Sequence, residues 1–148
     1  MFKPNILIVD DDQIILDSLC EFLDIEGYDT TGAGTVSEAK QKLKEQSFAL
    51  LITDVNMPNG DGFELLDLVR ENYPHTGVLL ITGDGTIESA VKASKKGAHD
   101  YLTKPIIDDD LLLAVERASR QQSLMSENQH LRKQLENKFS LNNVSRQD

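Results

Sequence analysis

Short runs of Ile, Leu and Val recur along the chain and alternate five times with segments whose apolar residues fall at helical spacing. Asn5–Val9, Ala49–Thr53, Val78–Ile81 and Asp100–Thr103 read as strands, with Tyr28–Thr31 a weaker second one. Stretches such as Ile6–Val9 and Leu50–Ile52 contain no polar residue, as expected of strands buried on both faces of a parallel sheet. Ile15, Leu16, Leu19, Phe22 and Leu23 mark a first helix after Asp12, ended by Gly27 as a left-handed cap. Thr35 or Ser37 starts a second helix. Asp61-Gly62 opens a third, carrying Phe63, Leu66 and Val69, and Pro74 marks its exit. A fourth, Thr86 to Lys95, has an apolar face of Ile87, Ala90 and Val91, and Gly97-Ala98 leads from it to the fifth strand. Alternating strands and helices with short, right-handed connections predict an α/β fold, a five-stranded doubly wound parallel sheet.

The pattern changes towards the end. From Asp108 a helix is predicted past Ala118 to Lys138, polar in its last turns except at Leu124, Leu131 and Leu135. With Asn128 these leucines step by four and three residues, the a/d seam of a coiled coil. An a-position asparagine fixes register in a parallel pair, and Glu127 at g then faces Arg132 at e of the second helix. A homodimer through residues 108–138 is therefore expected. The Ser/Asn-rich segment from Leu141 to Asp148 reads as a flexible tail. The predicted organisation is a domain over 1–120, a coiled-coil linker helix over 121–139 and a tail over 140–148.

Length and charge narrow the function. The 148 residues fit one domain plus an appendage. A net charge of −10 excludes direct nucleic-acid binding, which needs a basic face. No apolar run reaches the roughly 18 residues of a membrane span, and the N-terminus lacks a secretory pattern, so no membrane partner and a cytoplasmic location are expected. The single cysteine, Cys20, allows no internal disulfide and falls among Leu16, Leu19 and Leu23, as a core thiol would. His75, His99 and His130 have no metal-ligand spacing and read as surface residues.

The candidate chemistry lies where the strands end. Asp10-Asp11-Asp12 follows the first strand, Asp54-Val-Asn-Met-Pro58 the third, Thr82-Gly83 the fourth and Lys104-Pro105 the fifth. In doubly wound sheets ligands bind beyond the carboxyl ends of the strands. Asp10, Asp11 and Asp54 close together repel one another, so without a cation at least one pKa should rise. A hard divalent ion with oxygen ligands relieves this, and magnesium is the expected cofactor. Asp11, Asp54 and the backbone carbonyl of Asn56 are the expected ligands, with Asp10 acting through water. Asp54 beside such an ion can attack a phosphoryl group and form an acyl phosphate. Lys104 and the Thr82 hydroxyl would then contact the phosphoryl oxygens. Asp12 is expected to cap the first helix in any case.

With Asp10/Asp11, Asp54 in Asp-Val-Asn-Met-Pro, Thr82, Tyr101 and Lys104-Pro105 in place, residues 3–120 resemble a response-regulator receiver domain. The resemblance implies a flavodoxin-like five-stranded fold, phosphoryl transfer from a sensor histidine kinase, magnesium dependence and a cis peptide before Pro105. It also implies that Asn56 and Asp84 tune dephosphorylation, and that the chain is a phosphoacceptor rather than an enzyme. The stretch Glu127–Leu135 resembles the linker of the nitrogen-regulation class of sigma-54 transcriptional activators, where it leads to an AAA+ ATPase. These residues hold no phosphate-binding Gly-Lys-Ser/Thr loop and no helix-turn-helix. Two arrangements are expected: an N-terminal fragment of such a regulator, favoured because the sequence stops where the next domain would begin, or a stand-alone receiver with a dimerising tail.

The expected signal path starts when Thr82 moves towards the phosphoryl group. Tyr101 turns inward, and the face of helix four, strand five and helix five changes, altering the dimer through the continuous last helix. Three rivals stand against this reading. A haloacid-dehalogenase-type phosphatase shares the strand-end Asp, but Asn56 stands where its general acid belongs. A flavin or nucleotide binder would not place three aspartates in its first loop. A dimeric binding module leaves the acidic site without a purpose.

Overall fold

Successive side chains of a strand point to opposite faces, and this chain fills both. A computed structural model describes residues 4–57, 60–83 and 85–120. In order they form β1 (Asn5–Val9), α1 (Gln13–Ile25), β2 (Asp29–Ala33), α2 (Val36–Glu45) and β3 (Leu50–Asp54). Then follow α3 (Gly62–Asn72), β4 (Gly77–Thr82), α4 (Ile87–Lys95), β5 (Asp100–Thr103) and a helix, α5, described over 108–120. The strands make one parallel sheet in the order β2-β1-β3-β4-β5. Strand order reverses between β1 and β3, the switch point of a doubly wound sheet. The flavodoxin-like fold expected from the sequence is the one observed.

Two separate apolar layers result. Leu7, Val9, Leu51, Val78 and Leu80 pack with Val36, Ala39, Leu43, Phe63, Leu66, Val69 and Ala93, so α2, α3 and α4 cover one face. Ile6, Ile8, Leu50, Ile52, Leu79 and Ile81 pack with Leu16, Leu19, Leu23, Leu111, Ala114 and Val115, so α1 and α5 cover the other. The continuous Val/Ile/Leu character of the central strands is thereby explained. Each buried side chain of this size contributes about 1.5–3 kcal/mol to the fold.

Helix ends follow local chemistry. Asp12 caps α1 as expected, its Oδ1 accepting from the backbone N–H groups of Ile14 (3.0 Å) and Ile15 (3.4 Å). Thr35 caps α2, and the Glu38 carboxylate accepts from the Gly34 N–H at 2.7 Å. Gly27 ends α1 in the left-handed region at φ 99°. Gly97 does the same after α4 at φ 94°. At both positions a side chain would be strained.

Three sequence expectations shift. β2 runs over Asp29–Ala33 rather than Tyr28–Thr31, because its pairing with β1 starts at Asn5↔Asp29. β3 and β4 each reach one residue further, since Asp54 pairs with Ile81 and Thr82 with Thr103. The apolar face of α4 is also different. Ala93 is buried, whereas Ile87 is 85% and Val91 46% exposed. Periodicity in a nine-residue helix marks where apolar residues cluster but not which side meets the sheet. Here the small Ala93 is the α4 residue that joins the core. The predicted coiled coil over 121–139, the tail over 140–148, Asp84 and His130 lie outside the described residues. Among the described residues no helix is long and apolar enough to cross a membrane.

Candidate functional site

Backbone hydrogen bonds join the ends of β1 to β2, β3 to β4 and β5 to β4 before any side chain contributes. The Asp10 N–H donates to the Ala33 carbonyl (3.2 Å), and Val55 N–H to that of Ile81 (2.8 Å). Lys104 N–H donates to the Thr82 carbonyl (2.7 Å). Asp10, Asp54, Thr82 and Lys104 are each the last residue of a strand or the first beyond it, and neighbouring strands bring them level. The Lys104–Pro105 peptide is cis, as the resemblance implied.

Side chains converge on this rim. Carboxylate oxygens of Asp10, Asp11 and Asp54 all lie within 4.8 Å of one another. Asp10 and Asp54 are buried, at 2% and 5% exposure, and Asp11 is exposed. Lys104 Nζ is 2.9 Å from Asp54 Oδ2 and 3.3 Å from Asp10 Oδ2. The second oxygens of Asp54 and Asp10 are also engaged. Asp54 Oδ1 accepts from the Asn56 N–H (3.1 Å), and Asp10 Oδ1 from the Asp12 N–H (2.9 Å). Asn56–Met57 and Gly60–Asp61 form a short antiparallel ribbon that leads from β3 into α3.

The charges are uneven. Burial pushes the Asp10 carboxyl above its ordinary range, and the Asp54 charge adds to this. The Asp12 N–H and Lys104 pull the other way without cancelling it. A raised carboxylate was the sequence expectation, but its leading cause is desolvation rather than repulsion. For Lys104, burial lowers the ammonium pKa, and this is outweighed by the hydrogen bond to Asp54 and the charges of Asp10 and Asp54, so the net shift is upward. The lysine is held protonated between two carboxylates. An all-oxygen, largely anionic donor set of this kind fits a hard divalent cation and does not fit a soft one.

Thr82 ends β4, buried beside the pocket. Tyr101 is level with Leu80 on β5 and packs, half-buried, against the apolar layer that includes Ala93 of α4. Two contributors were not singled out from sequence. The Thr53 hydroxyl donates to the Asp54 carbonyl at 3.0 Å, inside the core. Gly62 presses the start of α3 against the same carbonyl, so close that a Cβ there would fall 2.5 Å from it. The glycine is visible in sequence, but what it approaches is not.

A doubly wound sheet with acidic residues and a lysine gathered at its switch point defines a class of α/β domains whose chemistry lies at the strand ends. Residues 6–116 match the response regulator receiver domain family, and the chain belongs to it. A receiver domain is the phosphoacceptor of a two-component system. Membership favours this role over the phosphatase and the bare binding module.

Response regulator protein FleR of Pseudomonas aeruginosa is 40% identical over 113 residues, 76% of this chain and 24% of that protein. The phosphoglycerate transport system transcriptional regulatory protein PgtA of Salmonella typhimurium is 36% identical over 133 residues, 89% of this chain and 32% of that protein. The solution structure of the beryllofluoride-activated NtrC4 receiver domain dimer superimposes with a TM-score of 0.76 at 42% identity, over 80% of this chain and 98% of that one. The chain thus spans about a quarter to a third of the length of these curated relatives.

Proposed function

We propose that Asp54 receives the phosphoryl group. The observation that carries this is its position: a buried carboxylate at the end of a central strand, with Lys104 Nζ 2.9 Å away and two further carboxylates on the adjoining loop. An Asp54 oxygen attacks the phosphorus of a kinase phosphohistidine, the bond to the imidazole nitrogen breaks, and the imidazole leaves. Lys104 exchanges its contact with Asp54 Oδ2 for a phosphoryl oxygen, and the Thr82 hydroxyl donates to another. Asp11, Asp54 and the Asn56 carbonyl would hold magnesium, with Asp10 reaching it through water. That ion, when bound, neutralises phosphoryl charge. Asn56 and Asp84 influence how long the acyl phosphate lasts.

Each chain takes one phosphoryl group and passes the change on, rather than turning over a substrate. Phosphate draws Thr82 towards the pocket, Tyr101 moves further under the α4–β5–α5 face, and the altered face reaches a homodimer built on residues 108–138. The output proposed is transcriptional, through a sigma-54-type AAA+ domain joined by the linker of 121–139, in the cytoplasm; the similarity to PgtA, a transcriptional regulatory protein, supports the transcriptional role. The NtrC4 receiver domain dimer supports self-association of the receiver.

The test is intact mass after incubation with magnesium and acetyl phosphate, beside Asp54→Asn. A labile phosphate adduct on the parent alone is expected. An adduct on Asp54→Asn of equal yield would move the acceptor elsewhere.

A further inference from the structure

The turn from β3 into α3 doubles back onto the residue that carries the chemistry. Gly62 N–H donates to the Val55 carbonyl (3.0 Å), which lays the first residue of α3 across the Asp54–Val55 backbone. A Cβ on Gly62 would stand 2.5 Å from the Asp54 carbonyl oxygen, 3.0 Å from Val55 Cα and 3.1 Å from the Asp54 carbonyl carbon. All three are main-chain atoms, which cannot swing aside as a side-chain tip does.

What yields is decided by the surroundings. α3 cannot lift away, because Phe63, Leu65 and Leu66 are buried immediately beyond Gly62. Asp61 also caps the helix, its Oδ1 accepting from the Glu64 N–H at 2.8 Å. β3 is paired on both sides, to β1 and to β4, up to its last residues. The Asp54 carbonyl is held on a further side by the Thr53 hydroxyl. The displacement therefore falls on the Asp54–Val55 peptide, the last unit of the ladder, held on the β4 side by the single Val55 N–H bond to the Ile81 carbonyl (2.8 Å). A rotation of the Asp54 peptide swings its carboxylate away from Lys104 and from the Asn56 N–H.

We infer that Gly62 is a positioning residue for phosphoryl transfer: the missing Cβ sets the direction of the Asp54 carboxylate through its backbone. The inference rests on the reading of Asp54 as acceptor. It concerns how that carboxylate is aimed, and a small error of aim at a reacting group costs on the order of a hundredfold in rate.

The experiment compares Gly62→Ala with the parent and with Val69→Ala, a buried substitution in α3 that weakens the fold without adding an atom beside Asp54. Two quantities are read on folded protein: the rate of phosphorylation at saturating acetyl phosphate, by intact mass, and the magnesium dissociation constant, by calorimetry. Gly62→Ala is expected to lose about tenfold or more in rate and to weaken magnesium several-fold, while Val69→Ala keeps both parental values. If Gly62→Ala does not fold in buffer, all three proteins are measured in trimethylamine oxide, which favours the compact state. Parental rate and magnesium affinity in Gly62→Ala overturn the inference. So does a variant unfolded even in the osmolyte, because Gly62 then serves the fold alone. A parent that takes no phosphate instead overturns the acceptor reading, a distinct result.

Discussion

Lys104 meets Asp54 across fifty residues of sequence, its Nζ 2.9 Å from Oδ2, and reaches Asp10 Oδ2 at 3.3 Å with the same ammonium. One cation thus compensates two buried carboxylates from the two strands that flank the switch point. Its presence makes the pocket tolerable before any metal or phosphate arrives.

Lys104→Ala removes that compensation. The free protein should lose about 1–3 kcal/mol, the upper end being discounted because the ammonium is partly solvated. Magnesium, supplying the missing positive charge, should restore much of the loss, and it should bind the variant at least as tightly as the parent. Phosphorylation should no longer produce a change in dimerisation. Urea unfolding with and without magnesium checks the first part and sedimentation of the phosphorylated variant the second. Normal activation would remove the role assigned to the lysine.

Asp10 links the site to pH. Its carboxyl is raised above the ordinary range chiefly by burial. A group raised in the fold contributes its full share of stability below its unfolded pKa, and that share is lost as pH climbs through the folded value. In metal-free, chelated protein the parent should therefore lose stability across that window relative to Asp10→Asn. At neutral pH the variant should have the higher urea midpoint. Below the ordinary carboxylate range the two should converge. A constant difference at every pH would show that burial of the charge is not the cause.

The outward face of α4 gives a contrast in packing. Ile87→Lys should change stability by less than about 0.5 kcal/mol, because the residue is almost wholly solvated. Ala93→Leu should cost about 1–3 kcal/mol by forcing α4 off the sheet. Thermal unfolding of the two variants separates this arrangement from one in which Ile87 packs inward.

Cys20 is half-buried, and burial pushes its thiol above the ordinary value. Iodoacetamide should label it several-fold more slowly in folded protein at neutral pH than in urea, since the thiolate is the reactive form. Equal rates would mean that the α1 face there is open.

The pocket was legible because strand-end chemistry is written locally. Asp10, Asp11, Asp54 and Lys104 each follow an apolar run, and a parallel sheet must bring such endings level. Asp54 and Thr82 fell one position off, inside their strands, because pairing with a neighbour extends a strand beyond where its apolar run stops. The face of α4 was not legible: Ile87, Ala90 and Val91 make as good a stripe as Ala93 and its neighbours, and only packing chooses. Gly62 was hidden for another reason. Asp61-Gly62 reads as ordinary turn chemistry, and the constraint on it is the nearness of a backbone that no spacing rule encodes.

The strand order has a consequence for how the molecule comes into being. β3 lies between residues 5–9 on one side and residues 77–82 on the other, and the lysine arrives only with β5. A chain emerging from a ribosome carries Asp54 well before it carries the residues that complete the pocket. No half-assembled intermediate can hold acid pair, acceptor and lysine together. The Lys104–Asp54 contact is thus a signature of finished folding, made only when the last strand arrives.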